Sequence, residues 1–256
     1  MRFLLIIGAI VALLSGCRSL SLDISHADTD KGYLNSGLRD LGKFYVFDTA
    51  KGNLTELATI DLRSRDKGAV FEKQVARGVT GVKVGGQADV KVKAKVAAEV
   101  ARSSYIELDN AFGESYKNTF SDLSQEINRR ESEGEDLGFS WFLDEAVEAG
   151  STTRYLLVFS TIRADVARVG YANSYAADGV IDVPLSKGGS IAVSLTGLSE
   201  EQFKGKAVPV LVNYHVIQAF KKDGNYKFRI DRSFDDTDVT RLLQDDEGQG
   251  VPPSDE

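Results

Sequence analysis

The chain has 256 residues, 42% of them hydrophobic, which suffices for one larger domain with a buried core. It carries 31 basic and 38 acidic residues, a net charge of -7, and that balance excludes a general nucleic-acid binder, whose phosphate contacts need a basic surface. One Cys and two His exclude a disulfide framework and thiolate metal clusters, and they leave little for His-based metal or general-base chemistry.

Met1-Arg2 is a short basic start, and Phe3 to Leu14 is apolar apart from Gly8. That run is shorter than the roughly 20 residues that span a bilayer and has the length of a secretory signal core. It leads into Leu14-Ser15-Gly16-Cys17. The stretch resembles the signal and lipobox of a bacterial lipoprotein. The resemblance implies that residues 1–16 are removed as a signal peptide, that the Cys17 sulfur takes a diacylglyceryl group and that the new amino group is acylated. A single acyl chain binds a membrane marginally, whereas two or three hold firmly. Arg18, not Asp, follows Cys17. In that family this favours the outer membrane over retention at the inner one.

Residues 17–30 are polar and without period, so they are expected to form a lipidated tether that includes His26. Residues 31–230 are expected to fold as a single domain. Its first strand candidates are Phe44–Phe47, Leu54–Leu62 and Ala69–Ala76, with Lys51-Gly52-Asn53 as a hairpin turn. In Gly81–Arg102 every even position from Val82 to Val100 is Val, Ala or Gly, while Lys83, Asp89, Lys91, Lys93, Lys95 and Glu99 take odd positions. A period of two held this long predicts extended chain with one apolar face. Register favours a three-residue turn at Gly85–Gln87, which pairs Val84 with Ala88 and Val82 with Val90. Val82, Val84, Val90, Lys91, Val92, Lys93, Lys95 and Val96 are therefore the candidate hairpin for a membrane or a partner. The alternative is a twisted strand pair lying on the core, its lysines outward and guarding an edge.

Phe112, Tyr116, Phe120, Leu123 and Ile127 are spaced by three or four and predict an amphipathic helix. Phe139 to Ala149 predicts a second, with Phe139, Phe142, Leu143, Ala146 and Val147 inward and Gly150 as its stop. Strands resume over Tyr155–Val169. Val180–Leu185 and Ile191–Leu195 form a second hairpin. Val208–Phe220 and Asn225–Ile230 follow, separated by the Lys222-Asp223-Gly224 turn. The fold class is α+β: a mostly antiparallel twisted sheet with long amphipathic hairpins and two inserted helices. Residues 231–256 hold nine acids and two bases and are expected to be an acidic, mostly disordered tail, with at most a helical turn at Val239–Leu243.

Catalytic signatures are absent from the sequence. His215 is the only His of the domain, and there is no Gly-x-Ser-x-Gly elbow, phosphate loop or dinucleotide fingerprint. Asp28-Thr29-Asp30 and Asp235-Asp236-Thr237-Asp238 gather oxygen ligands but continue into no calcium loop, so neither a metal nor a cofactor is expected. The order of parts carries a further likeness. An alternating hairpin runs into Arg102-Ser103-Ser104, a helix follows, then Tyr155-Leu156-Leu157-Val158-Phe159, then Val183-Pro184-Leu185-Ser186-Lys187-Gly188-Gly189-Ser190-Ile191-Ala192-Val193. From about Gly78 to Leu198 this resembles the pore-forming domain of gasdermin-type proteins. In that family two amphipathic hairpins extend on activation and join a membrane barrel. Two features depart from it: only about 25 acidic-tail residues follow the last strand, and the family works from the cytoplasm. The expected function is a membrane-anchored lipoprotein with a non-enzymatic binding or envelope-assembly domain. Its expected partners are the membrane, through Cys17, and an envelope protein. A membrane-perturbing protein and an envelope hydrolase are the alternatives.

Overall fold

A computed structural model describes residues 20–24, 27–35, 39–86, 89–171, 180–184, 190–196 and 205–247. The signal stretch, Cys17 and His26 lie outside these residues. The strands begin with β1 (Leu20–Asp23), β2 (Asp28–Thr29), β3 (Gly32–Leu34), β4 (Lys43–Asp48) and β5 (Thr55–Thr59). Next come β6 (Arg65–Lys67), β7 (Phe71–Ala76), β8 (Lys83–Gly85), α1 (Val90–Ser103), β9 (Ser104–Tyr116) and α2 (Thr119–Ser132). Two single-turn helices, α3 (Leu137–Ser140) and α4 (Leu143–Ala146), precede β10 (Thr153–Ala164) and β11 (Val166–Tyr171). The chain closes with β12 (Val180–Pro184), β13 (Ser190–Thr196), β14 (Val208–Lys222), β15 (Asn225–Ile230) and α5 (Asp236–Glu247). This is an α+β fold with a large, mostly antiparallel sheet.

The backbone of the larger sheet runs β11-β9-β10-β14-β3-β2, with β4, β5, β6, β7 and β15 pairing at its sides. Apolar Tyr155-Leu156-Leu157-Val158 sits at its centre, paired with β14 on one side and β4 on the other. All four side chains are buried, as expected for a strand covered on both faces. Beyond Ser160 the same strand exchanges β4 for β9. The expected strand Tyr155–Val169 is in fact two, broken at Asp165. Asn110, with a left-handed φ of 51°, donates through Nδ2 to Asp165 at 3.0 Å, and the Asp165 amide donates to the Asp109 carbonyl at 3.0 Å. That paired corner lets β9 pass from β10 to β11.

A second, four-stranded sheet has the order β12-β13-β1-β8. β1 runs parallel to β13, with Leu20 opposite Val193, and antiparallel to β8, with Ser21 opposite Gly85. The tether expected over residues 17–30 is thereby corrected. Leu20 is 1% exposed and Leu22 fully buried, so the domain begins at Leu20, not at residue 31. Four short residues escaped notice because Leu20-Ser21-Leu22-Asp23 is too brief to show a period. The hairpin of β12 and β13 forms as expected, with Val183 opposite Ile191; its turn lies outside the described residues.

The helical insertion is also corrected. Phe112 and Tyr116 belong to β9, whose backbone pairs with β7 and β11 on either side and then with β6 and β10, so ladder pairing overrides the spacing by four. The helix starts at Thr119 and buries Leu123 and Ile127. The single helix expected over Phe139–Ala149 is split at Trp141-Phe142, and Phe142 takes a left-handed φ of 58°. Leu143 and Ala146 are buried as expected, but Phe139 is 81% exposed and Phe142 46%. The acidic tail is corrected too. Val239, Leu242 and Leu243 recur at helical spacing and bury against Tyr33, Tyr45, Phe47 and Val212, making α5 part of the fold.

Candidate functional site

The Lys/Val segment takes a form the alternation did not predict. Val82 and Val84 flank and enter the short β8, both half-buried. From Val90 to Ser103 the chain is α-helical, so Val90, Lys91, Val92, Lys93, Lys95 and Val96 form no hairpin arm. The physical reason is visible in the sizes of the side chains. Val92, Val96 and Val100 recur every four residues and share one helical face. Ala94 and Ala98 fall on the other face, so a period of two conceals a period of four in volume. Val96 and Val100 are buried with Leu20, Leu22, Ile106 and Leu108, and Val92 packs at the margin. Asp89 caps the helix, accepting from the Val92 amide at 2.9 Å.

The other face of α1 is exposed over Val90, Lys91, Ala94, Lys95, Ala98 and Arg102, and Val90 is 82% exposed. Glu99 is the helix's one acid, and Arg102 donates to it at 2.7 Å. The first turn holds no acid. Cations there oppose the positive end of the helix dipole, so the charge placement works against helix stability. The helix leans across the small sheet, touching β8 at one edge and β12 at the other.

Two further polar arrangements lie in the body. Buried Glu114 accepts from Arg163 Nε at 2.8 Å and from Arg65 Nη2 at 3.0 Å. Arg163 also donates to the Ala207 carbonyl at 3.0 Å and to Asp40. Its guanidinium is therefore engaged on three sides, and the cluster is a clamp between β6, β9, β10 and the loop before β14. An open cleft of about 450 Å³ lies beside it, lined by Lys43, Asp61 and Tyr116 among others. Gly42, between the lining residues Leu41 and Lys43, has φ 83°, and a Cβ there would come within 2.2 Å of the Ile60 carbonyl. Tyr116 donates to that carbonyl at 3.1 Å, and burial raises its phenol above the usual value.

His215, the domain's His among the described residues, is packed between rings. Phe159, at the bulge in β10, stacks on it at 3.6 Å between centroids, and Phe120 lies 5.3 Å away. Burial lowers its pKa to about 4, so it is neutral at physiological pH. Asp235 and Asp238, from the acidic run in which no metal was expected, cap the start of α5, the Asp238 amide donating to Asp235 at 3.0 Å. Among the described residues no group of three or more His, Cys, Asp or Glu side chains is arranged to hold a metal.

The exposed Phe139 and Phe142 are the feature that sequence reasoning missed. A frame of local bonds holds them. Asp136 accepts from the Phe139 amide at 3.1 Å, Gly138 N–H donates to Glu131 at 2.7 Å, and Tyr155 donates to the Trp141 carbonyl at 2.9 Å. Arg130 lies over the buried Trp141 ring at 4.7 Å. Residues 131–150 contain seven acids and no Lys or Arg, and that composition was the available sign of a solvated end.

No family model matches the chain, and no curated protein matches it. Among solved structures, a bacterial gasdermin from Bradyrhizobium tropiciagri is similar at 11% identity and a TM-score of 0.28, covering 86% of this chain and 90% of that one. At so low a TM-score the likeness carries no inference about activity.

Proposed function

We propose that the chain is a bacterial lipoprotein held at the outer membrane by acyl groups on Cys17. Its α+β body then acts by binding, without catalysis, with an envelope protein as its partner. The observation that supports this reading is the junction itself. A short apolar run ends in Leu14-Ser15-Gly16-Cys17, and the folded body begins only three residues later, at Leu20. Substituting Cys17→Ser is expected to move the protein from the membrane fraction to the soluble one. Mass spectrometry of the native N-terminal peptide is expected to find an acylated sulfur. An unmodified sulfur, or a retained leader, overturns the proposal.

One observation favours a second reading, a membrane-perturbing protein. Residues 82–100 carry a pattern equally suited to strand, yet residues 90–100 are helical, in a helix that touches the β12–β13 hairpin's sheet at both edges. In this reading Val79–Arg102 and Ile181–Leu195 unfurl into amphipathic hairpins, with small apolar residues toward lipid and lysines toward water. The unlipidated protein then releases dye from liposomes. No leakage at any pH, with or without residues 231–256, excludes it.

A further inference from the structure

We propose that the outward face of α1 lies on an anionic lipid surface and thereby fixes the orientation of the body on its membrane. The inference rests on the acylated Cys17 proposed above. Three peptide units separate Cys17 from Leu20, a reach of at most about 11 Å. Leu20 is buried and paired with Val193, so it cannot swing out to lengthen that reach. The edge of the small sheet where β1 starts is therefore kept close to the bilayer.

That edge also holds α1. β8 runs antiparallel to β1, with Ser21 opposite Gly85, so β8 ends where β1 begins. The helix starts five residues after Gly85 and packs back against β8. Its first turn thus belongs to the anchored edge. It presents Lys91 outward beside the bare side chain of Val90, with Lys93 half-buried, and Lys95 is exposed on the next turn. Cations and one apolar side chain are what a layer of anionic headgroups over hydrocarbon accepts. Helix stability does not account for Lys91 and Lys93 in the first turn, since the dipole favours acids there.

The far end of the molecule has the opposite character. The core that contains Leu20, Val96 and Ala164 and the core that contains Tyr155 and Trp141 are separate clusters. Tyr155 and Ala164 lie nine residues apart on β10, about 30 Å along the strand. The acid-rich stretch 131–150, with Phe139 and Phe142, is packed on the Tyr155 core. An anionic bilayer repels that end and attracts α1. Screening over about 8 Å at physiological salt confines both effects to the layer next to the lipid. The body therefore stands with α1 down and the aromatic tip away from the membrane.

The test uses the full mature chain. With Cys17→Ser, protein is sedimented with phosphatidylcholine vesicles that contain or lack phosphatidylglycerol, over a range of salt. Salt-sensitive binding is expected only with the anionic lipid. Each lysine near such a surface contributes roughly fivefold in affinity, so K91Q/K93Q/K95Q is expected to lose on the order of 100-fold in partitioning. Lys91→Glu with Lys93→Glu must lose binding while melting no lower than the parent, which separates the effect from misfolding. In the acylated protein Cys17 is blocked, so a single Cys introduced at Lys91 or Phe139 takes a fluorophore. A headgroup quencher is expected to reach position 91 and not 139.

Equal binding of parent and variants, or quenching at 139 instead of 91, overturns the proposal. So does a lysine-dependent association between copies of the chain in place of lipid binding. If the Cys17→Ser protein stays in native membranes after a high-salt wash, which strips protein held only through the lysines of α1, the anchor reading fails. The vesicle measurement still judges the α1 face separately.

Discussion

Single side chains show where this fold stores its polar energy. Glu114 is buried between β6 and β10 and balances two guanidinium groups. Removing its charge leaves Arg163 with only Asp40 and a carbonyl. Glu114→Gln is expected to cost about 3 kcal/mol, seen as a lower urea midpoint at an unchanged slope. His215 gives the opposite kind of dependence. Its ring is desolvated by Phe159 and Phe120, and its folded pKa falls to about 4 from the usual value near 6.5. Between those two values the unfolded chain binds the extra proton and the folded chain does not. Stability therefore falls as pH drops from about 6.5 toward 4, by roughly 2 kcal/mol once water at the half-buried ring is allowed for. His215→Phe is expected to flatten that part of the pH–stability curve, measured by denaturation at pH 7 and pH 4.5 (about 3 pH units above the folded value and near it).

Elements were legible in the sequence to the extent that pairing partners did not matter. The central strands showed because Tyr155-Leu156-Leu157-Val158 and the alternating Val208–Val216 run are long and apolar; the first buries throughout, and in the second Val210, Val212 and Val216 are buried while Val208 and Tyr214 are half-buried. β9 was misread because Phe112 and Tyr116 mimic a helical stripe, and only its four partner strands reveal otherwise. α1 was misread in the reverse sense, since a strict period of two admits both states. The deciding signal, alternation of Val with Ala among the even positions, is one of volume. This has a measurable consequence. Val96→Ala is expected to destabilise by about 1–3 kcal/mol, because it empties a site among Leu20, Leu22 and Ile106. Ala98→Val, on the exposed side, is expected to stay within about 0.5 kcal/mol. In an extended hairpin with one buried face, the two positions would respond alike, so chemical denaturation of the pair distinguishes the states. Of the candidate segment, the sequence named Val90, Lys91, Lys93 and Lys95 as an extended hairpin arm, and tertiary packing makes them a helix.

Among the described residues, two buried clusters lie on opposite faces of the Tyr155–Val158 stretch of β10, a third lies toward its Ala164 end, and one of the facing pair depends on α5. Acidic composition suggested a loose tail, yet Leu243 is fully buried beside Val212 and Phe47. Leu243→Ala is expected to cost about 2–5 kcal/mol and to lower the melting temperature of the entire domain. Hydrogen exchange should show the amides of Thr240–Leu243 protected to a degree comparable with β14; fast exchange there would mean that α5 frays independently of the core. A different consequence follows from the parallel seam of β1 and β13. Leu20 pairs with Val193, a partner 173 positions downstream, so the first strand has no neighbour on that side until about three-quarters of the chain has been made. Contacts of such separation form late. A chain emerging N-terminus first therefore leaves β1 open on its β13 side, and the segment before it reachable by processing enzymes, throughout most of synthesis.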